Sequence, residues 1–232
     1  MKISIFNNKN KGSKNLALLF INKIQEVLLK KNNCVISLAT GQSPIIFYEE
    51  LIKIIKSKKI SFKNIIIFNL DEFIDIDPNS IYSYNYYMRK HLLNHIIINE
   101  ENINLLSGKR KNIKEYCELI ENKIKSFGGI DIQILGIGMN GHIGFNEPGS
   151  KKSSLTRKVK ISNNSISVLS KDFKKSDDVP KEAITLGINT ILSAKNIYLM
   201  AWGLNKSLII KKALEGSIDT ACPASFLQLH NN

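Results

Sequence analysis

The stretch Ile130-Asp131-Ile132-Gln133-Ile134-Leu135-Gly136-Ile137-Gly138-Met139-Asn140-Gly141-His142-Ile143-Gly144-Phe145-Asn146-Glu147-Pro148-Gly149 decides how the rest of the chain is read. Its opening, Ile130 to Leu135, is a largely apolar run of strand length. Glycines then alternate with one histidine, two asparagines and one glutamate. Such glycine density fits backbone that turns sharply or approaches a ligand closely. Two readings fit the local pattern. One is a glycine-rich β-to-α turn whose histidine only bonds backbone, and the other is a catalytic turn whose polar side chains converge.

The chain has 232 residues, enough for one large α/β domain with a substantial core. Its 43% apolar and 23% charged residues are ordinary globular values. Cys34, Cys117 and Cys222 are far apart and odd in number, which suits a reduced, cytoplasmic protein rather than a disulfide framework. Met1 to Phe6 is too brief an apolar start for a signal peptide, and no apolar run approaches membrane-spanning length. The net charge of +13 raises the question of nucleic acid. The lysines, however, lie in small groups along the whole chain, without zinc-finger spacing or aromatic–basic interleaving. A solvated basic surface is the better reading, with neither a nucleic-acid nor a membrane partner.

Short apolar runs alternate with helical patterns along the chain. Ile3 to Phe6 reads as a first strand, and Leu16 through Lys30 as a helix. Cys34 to Ala39 reads as a buried strand ending at Thr40-Gly41-Gln42-Ser43-Pro44, before a helix from Ile45. Pro44 suits a first helical position and Ser43 an N-cap, so the free amides beside Gly41 form a potential anion site. An ordinary capped turn accounts for the same residues. The Gly-Lys-Ser/Thr ending of a Walker loop is absent.

Ile65 to Phe68 reads as a strand leading into Asp71-Glu72. These carboxylates either enter the crevice at the strand's C-terminal end or cap the next element. Helices are expected over Tyr82 to Leu93, Ile113 to Phe127 and Ala183 to Leu192. A further strand is expected over Asn196 to Ala201, followed by a helix from about Lys206. A lysine in a first helical turn opposes the helix dipole, which makes a phosphate partner attractive. Residues 150–179 show no periodicity and suggest a lid. The alternation predicts a single-domain, three-layer α/β/α fold around a doubly wound, mostly parallel, Rossmann-like sheet.

Polar clusters at Thr40 to Ser43, Asp71-Glu72, Asn140 to Glu147 and Lys206 would share one edge of such a sheet. His142 with a carboxylate to orient it suits proton shuttling, and a separate aspartate permits proton abstraction beside a carbonyl. One histidine and one glutamate do not complete a zinc site, and no HExxH or Gly-x-Ser-x-Gly occurs.

At these residues the chain resembles the glucosamine-6-phosphate deaminase (isomerase) family. The matching segments are Ala39 to Pro44, Phe68 to Phe73, Ser83-Tyr84, Gly136 to Gly149, Val179-Pro180 with Ala183 to Gly187, Gly203 to Lys206, and Pro223-Ala224-Ser225 to His230. They run in the family's order across nearly the whole chain. The related 6-phosphogluconolactonases share the Gly-His portion and diverge after it. The resemblance implies conversion of glucosamine 6-phosphate to fructose 6-phosphate and ammonia, with neither cofactor nor metal.

His142 would open the pyranose ring, supported by Asn140 and Glu147, and Asp71 would move the proton between C2 and C1. Gly41, Gln42, Ser43, Lys171 and Lys206 would hold the phosphate. Asn140 stands where the larger, hexameric members carry aspartate, while the short bacterial branch resembles this chain; a monomer or small homo-oligomer is expected. Lys171 falls where many members carry a phosphate-binding arginine, and a lysine lacks that residue's bidentate fork. The sequence stops where relatives usually continue into a last strand, so an unpaired or differently covered sheet edge is expected.

Overall fold

The computed structural model describes residues 1–175 and 178–231. Helix α1 (Lys9–Leu28) begins at Asn8, whose side chain accepts the Lys11 N–H at 2.9 Å. Ala17, Phe20, Ile21 and Ile24 fall on its buried face, at the spacing of one helical stripe. Strands β1 (Cys34–Leu38) and β2 (Ile65–Asn69) flank α2 (Ile45–Ser57), and both strands are buried at every position. The chain continues through β3 (Asp71–Phe73), α3 (Tyr84–His91), β4 (Ile103–Asn104), α4 (Ile113–Ser126) and β5 (Ile132–Gly136). It then forms β6 (Arg157–Lys160), α5 (Asn163–Leu169), β7 (Glu182–Thr185), α6 (Ile188–Leu192), β8 (Asn196–Met200) and α7 (Ser207–Glu215).

Two sheets result. The main one is parallel, in the order β4-β2-β1-β5-β8, and helices flank it. The smaller is antiparallel, in the order β3-β7-β6. The all-apolar run of Ile65, Ile66, Ile67 and Phe68 is what a strand covered on both faces requires. From β1 the chain steps outward to β2 and β4, then returns to the other side of β1 with β5. That reversal puts a topological switch point between the C-terminal ends of β1 and β5, where open α/β sheets bind ligands. At the opposite edge, the buried Asp131 carboxylate joins β1 to the lysines that flank the sheet. It accepts the Val35 N–H at 2.8 Å and pairs with Lys31 at 2.6 Å and Lys195 at 2.8 Å.

Several expectations give way. Ile3 to Phe6 is not a strand, because among the described residues no neighbour supplies a ladder: Ile3 is 62% and Ile5 93% exposed. Ser43 does not cap α2; Pro44 occupies that position with helical φ and ψ and no side-chain bond. Ala183 to Leu192 is not one helix. Its first part is β7, zipped between β3 and β6, and only Ile188–Leu192 is helical. At Gly187 the carbonyls of Ser154 and Leu155 lie 2.1 and 2.4 Å from where a Cβ would stand, so the chain passes between the two elements only as glycine.

Residues 150–179 are not a structureless excursion. Among those described, they carry β6, α5 and a 3₁₀ turn, Ser170–Asp172, over a second apolar cluster. Phe73, Phe145, Ile161 and Ala183 form that cluster, with Tyr84, Ile166 and Phe173 packed on it. Helix α3 is shorter than the periodicity predicts, and Lys206 precedes α7 rather than opening it. The C-terminal 3₁₀ stretch Pro223–Leu229 packs on α6 and α7 and does not join the sheet. Strand β8 is one rim of the main sheet, with Asn196 to Leu199 half-buried.

These positions separate by burial in a stability measurement. Ile36→Ala, inside β1, is expected to cost about 2–5 kcal/mol in denaturant unfolding, whereas Ile5→Ser should stay within about 0.5 kcal/mol of wild type. A large loss for Ile5→Ser would show that the N-terminal segment is packed after all.

Candidate active site

The register of β1 on β2 sets Leu38 beside Asn69, so the residues after them leave the sheet side by side. Thr40 Oγ1 donates to Asp71 Oδ1 at 3.3 Å across that gap. Asp71 is 6% exposed, and burial foremost, with the neighbouring Glu72 charge, pushes its carboxyl up to about 7; the Thr40 bond pulls the other way. The carboxyl is thereby poised to take up and release a proton near neutral pH.

Glu72 points elsewhere on β3, as alternation along a strand demands. It accepts the N–H groups of Phe73, Tyr84 and Asn85 at 2.9, 3.0 and 2.9 Å. These bonds fasten the start of α3, where Ser83 is the N-cap. Asp71 is therefore not an N-cap: Ser83 caps α3, and Glu72 supports that cap through the helix's first amides.

The glycine loop leaves β5 at Gly136, against the Ser43 side chain. At Gly138 a Cβ would stand 2.2–2.4 Å from three atoms of the His142 ring, so only glycine lets the imidazole lie there. His142 Nδ1 is 2.7 Å from Asn140 Oδ1, and Asn140 Nδ2 donates to Glu147 Oε2 at 2.7 Å. An ionised carboxylate only accepts, which fixes the amide with its nitrogen toward Glu147 and its oxygen toward the imidazole. Nδ1 must then carry the proton, and Nε2 is left as the basic nitrogen. Glu147 also lies 3.5 Å from His142 Nδ1 and accepts from Ser165 Oγ on α5. Burial pushes the Glu147 carboxyl up, but bonds from His142, Ser165 and Asn140 outweigh it and hold it down at about 2. It stays charged at any pH where the imidazole works.

Lys206 donates to Ile137 O at 2.8 Å, which folds the ammonium back onto the loop, and burial lowers its pKa. Trp202 Nε1 donates to Ser43 O at 3.0 Å, so the segment after β8 touches the turn after β1. Gly41, Gln42, Ser43, Asp71, Asn140, His142, Glu147 and Lys206 thus lie on one connected edge. Lys171 is the exception. It is exposed on the 3₁₀ turn after α5, and none of the contacts that join the others includes it.

Among the described residues, no group of three or more His, Cys, Asp and Glu is placed to hold a metal ion. Nor is any helix there long and apolar enough to cross a membrane. Ser165 joins the site without having stood out in the sequence. It is a single hydroxyl residue in an ordinary context, and it reaches Glu147 from 18 residues away.

A family model described as glucosamine-6-phosphate isomerases/6-phosphogluconolactonase matches residues 7–232. The chain is 43% identical to a glucosamine-6-phosphate deaminase of Clostridium novyi (strain NT), over 100% of this chain and 95% of that one. It is 41% identical to a glucosamine-6-phosphate deaminase of Thermoanaerobacter sp. (strain X514), over 100% and 90%. Its fold is similar to that of a monomeric glucosamine-6-phosphate deaminase, with a TM-score of 0.96 at 36% identity, covering 100% of this chain and 95% of that one. A 6-phosphogluconolactonase from Trypanosoma cruzi shares the fold at 18% identity, with a TM-score of 0.78 and coverage of 100% and 91%. The chain belongs to the glucosamine-6-phosphate isomerase/6-phosphogluconolactonase family.

Proposed function

We infer that this chain converts glucosamine 6-phosphate and water to fructose 6-phosphate and ammonia. The observation that carries the reading is a pair of independent proton-transfer groups at one sheet edge. One is a buried carboxyl poised near neutrality, and the other an imidazole of fixed tautomer. His142 Nε2 takes the proton of the anomeric hydroxyl and passes it to the ring oxygen, which opens the pyranose. Asp71 removes the proton at C2 and returns it at C1 of the enolamine so formed. The iminium left at C2 is hydrolysed by water to the ketone, and ammonia departs. Asn140 and Glu147 do not touch the reacting carbons; they hold the imidazole and its Nδ1 proton.

The amides of Gly41, Gln42 and Ser43 and the Lys206 ammonium take the phosphate. Lys171 joins them when the 150–179 segment closes over the substrate. Helix α5, which precedes Lys171, meets the site through the Ser165–Glu147 bond. We assign the whole chain to this one domain, acting as a monomer or small homo-oligomer. A cytoplasmic location fits the three buried, unpaired thiols Cys34, Cys117 and Cys222.

The decisive assay measures ammonium and fructose 6-phosphate released from millimolar glucosamine 6-phosphate. Equal amounts are expected, and no turnover of either would end the reading. Asp71→Asn should lower kcat by at least about 10²–10⁴-fold. It should also raise the melting temperature at pH 8. A carboxyl whose folded pKa is raised binds its proton more tightly when folded, so stability is lost as pH rises from its unfolded value through about 7. Retained activity would remove Asp71 from its role. In Glu72→Gln one cause of the raised Asp71 pKa is gone, so the acid limb of kcat/KM should move to lower pH. An unmoved limb would mean that another group controls it. Asn140→Ala frees the imidazole tautomer and should cost about 10²-fold in kcat; an unchanged kcat would show that the relay is dispensable.

A further inference from the structure

Three carbonyls on alternate residues of the turn after β1 are each held by an aromatic donor. The Tyr48 hydroxyl donates to Ala39 O at 2.5 Å, the Tyr87 hydroxyl to Gly41 O at 2.6 Å, and Trp202 Nε1 to Ser43 O at 3.0 Å. The donors come from α2, α3 and the segment after β8, so the turn is gripped from separate elements. All peptide bonds here are trans, and in a trans unit the carbonyl and N–H point in opposite directions. Drawing the carbonyls of Ala39 and Gly41 back into the protein therefore aims the N–H groups of Thr40 and Gln42 outward. The third unit ends in Pro44, which has no N–H to aim. Among the described residues, no acceptor takes the N–H of Thr40, Gly41, Gln42 or Ser43. Gly41 has φ +89°, and nothing lies within 4 Å of where its Cβ would stand, so that side of the turn is open to a ligand. Outward amides on successive residues form an anion-binding concavity.

We propose that Tyr87 and Tyr48 are positioning residues for the phosphate of the substrate, aiming the Gln42 and Thr40 amides at it through the carbonyls they hold. The inference rests on the assignment of this turn to phosphate. Without its clamp the Gly41–Gln42 peptide can flip, because glycine tolerates backbone conformations other residues avoid. A flipped unit presents a carbonyl oxygen to the dianion instead of an N–H, which turns attraction into repulsion. The Tyr87 hydroxyl is suited to the task, since burial raises its pKa and keeps it a donor. His91 packs against the Tyr87 ring, tilted by 43° with centroids 4.4 Å apart.

The test uses the full-length protein and the variants Tyr87→Phe and Tyr48→Phe, each of which deletes one hydroxyl and keeps its ring. Tyr116→Phe is the control. It loses a comparable hydroxyl contact, to the Ser107 N–H at 3.1 Å, in a segment that does not form the turn. Two constants are read: KM for glucosamine 6-phosphate, and the dissociation constant of inorganic phosphate from its protection against thermal unfolding. Tyr87→Phe should raise both about tenfold with kcat within about twofold, as for one lost hydrogen bond to a charged ligand. Tyr48→Phe should act in the same direction, and carries the test if Tyr87→Phe does not fold; Tyr116→Phe should change neither constant. Unchanged constants in the folded tyrosine variants would overturn the proposal. So would a fall in kcat without a rise in KM. If the wild type fails to turn over glucosamine 6-phosphate while Tyr87→Phe still weakens phosphate binding, the deaminase reading falls and the positioning role stands.

Discussion

The double pairing of β1, to β2 on one side and β5 on the other, is the constraint on which the rest of the molecule depends. Strands buried on both faces can carry almost no polar side chains along their length. Polar chemistry is displaced to where they end. Because neighbouring strands are parallel, the ends of β1, β2, β5 and β8 meet at one edge. The turn at Thr40, the acid at Asp71, the loop of His142 and the segment before α7 are thus brought together by backbone register alone. Reversal of strand order between β1 and β5 opens the crevice that they share.

Within that crevice two carboxylates, Asp71 and Glu147, meet opposite environments. Asp71 is buried with one hydroxyl donor and a like charge beside it, so its neutral form is favoured to unusually high pH. Glu147 is also partly buried, yet three donors satisfy it and it ionises far below neutrality. A permanently charged Glu147 can fix an amide, and through the amide a tautomer. A carboxyl that ionises near neutrality can exchange a proton with carbon. The environments, more than the residue types, separate the roles.

Much of this was legible in the sequence, and the reasons differ between parts. The buried strands Cys34–Leu38 and Ile65–Asn69 announce themselves as continuous apolar runs, and α1, α2 and α4 as apolar stripes. The Asn140, His142 and Glu147 group was legible because all three lie within one glycine loop. Ala183 to Leu192 misled because a short apolar run does not distinguish helix from strand until its neighbours are known; β3 and β6 settle it as β7. The 150–179 segment hid its order because Val159, Ile161, Ile166 and Phe173 serve a small satellite cluster with no regular spacing. Tyr48, Tyr87, Trp202 and Ser165 act across 9, 46, 159 and 18 residues of sequence, where local pattern carries no signal.

The proposed chemistry depends on Asp71 holding a proton at a pH where ordinary aspartates have lost it. The most direct measurement is a ¹³C NMR titration of the Asp71 side-chain carboxyl, assigned by difference from Asp71→Asn. A midpoint near pH 7 is predicted from its burial and from the Glu72 charge beside it. A midpoint of about 4, the value of a solvated aspartate, would contradict the account.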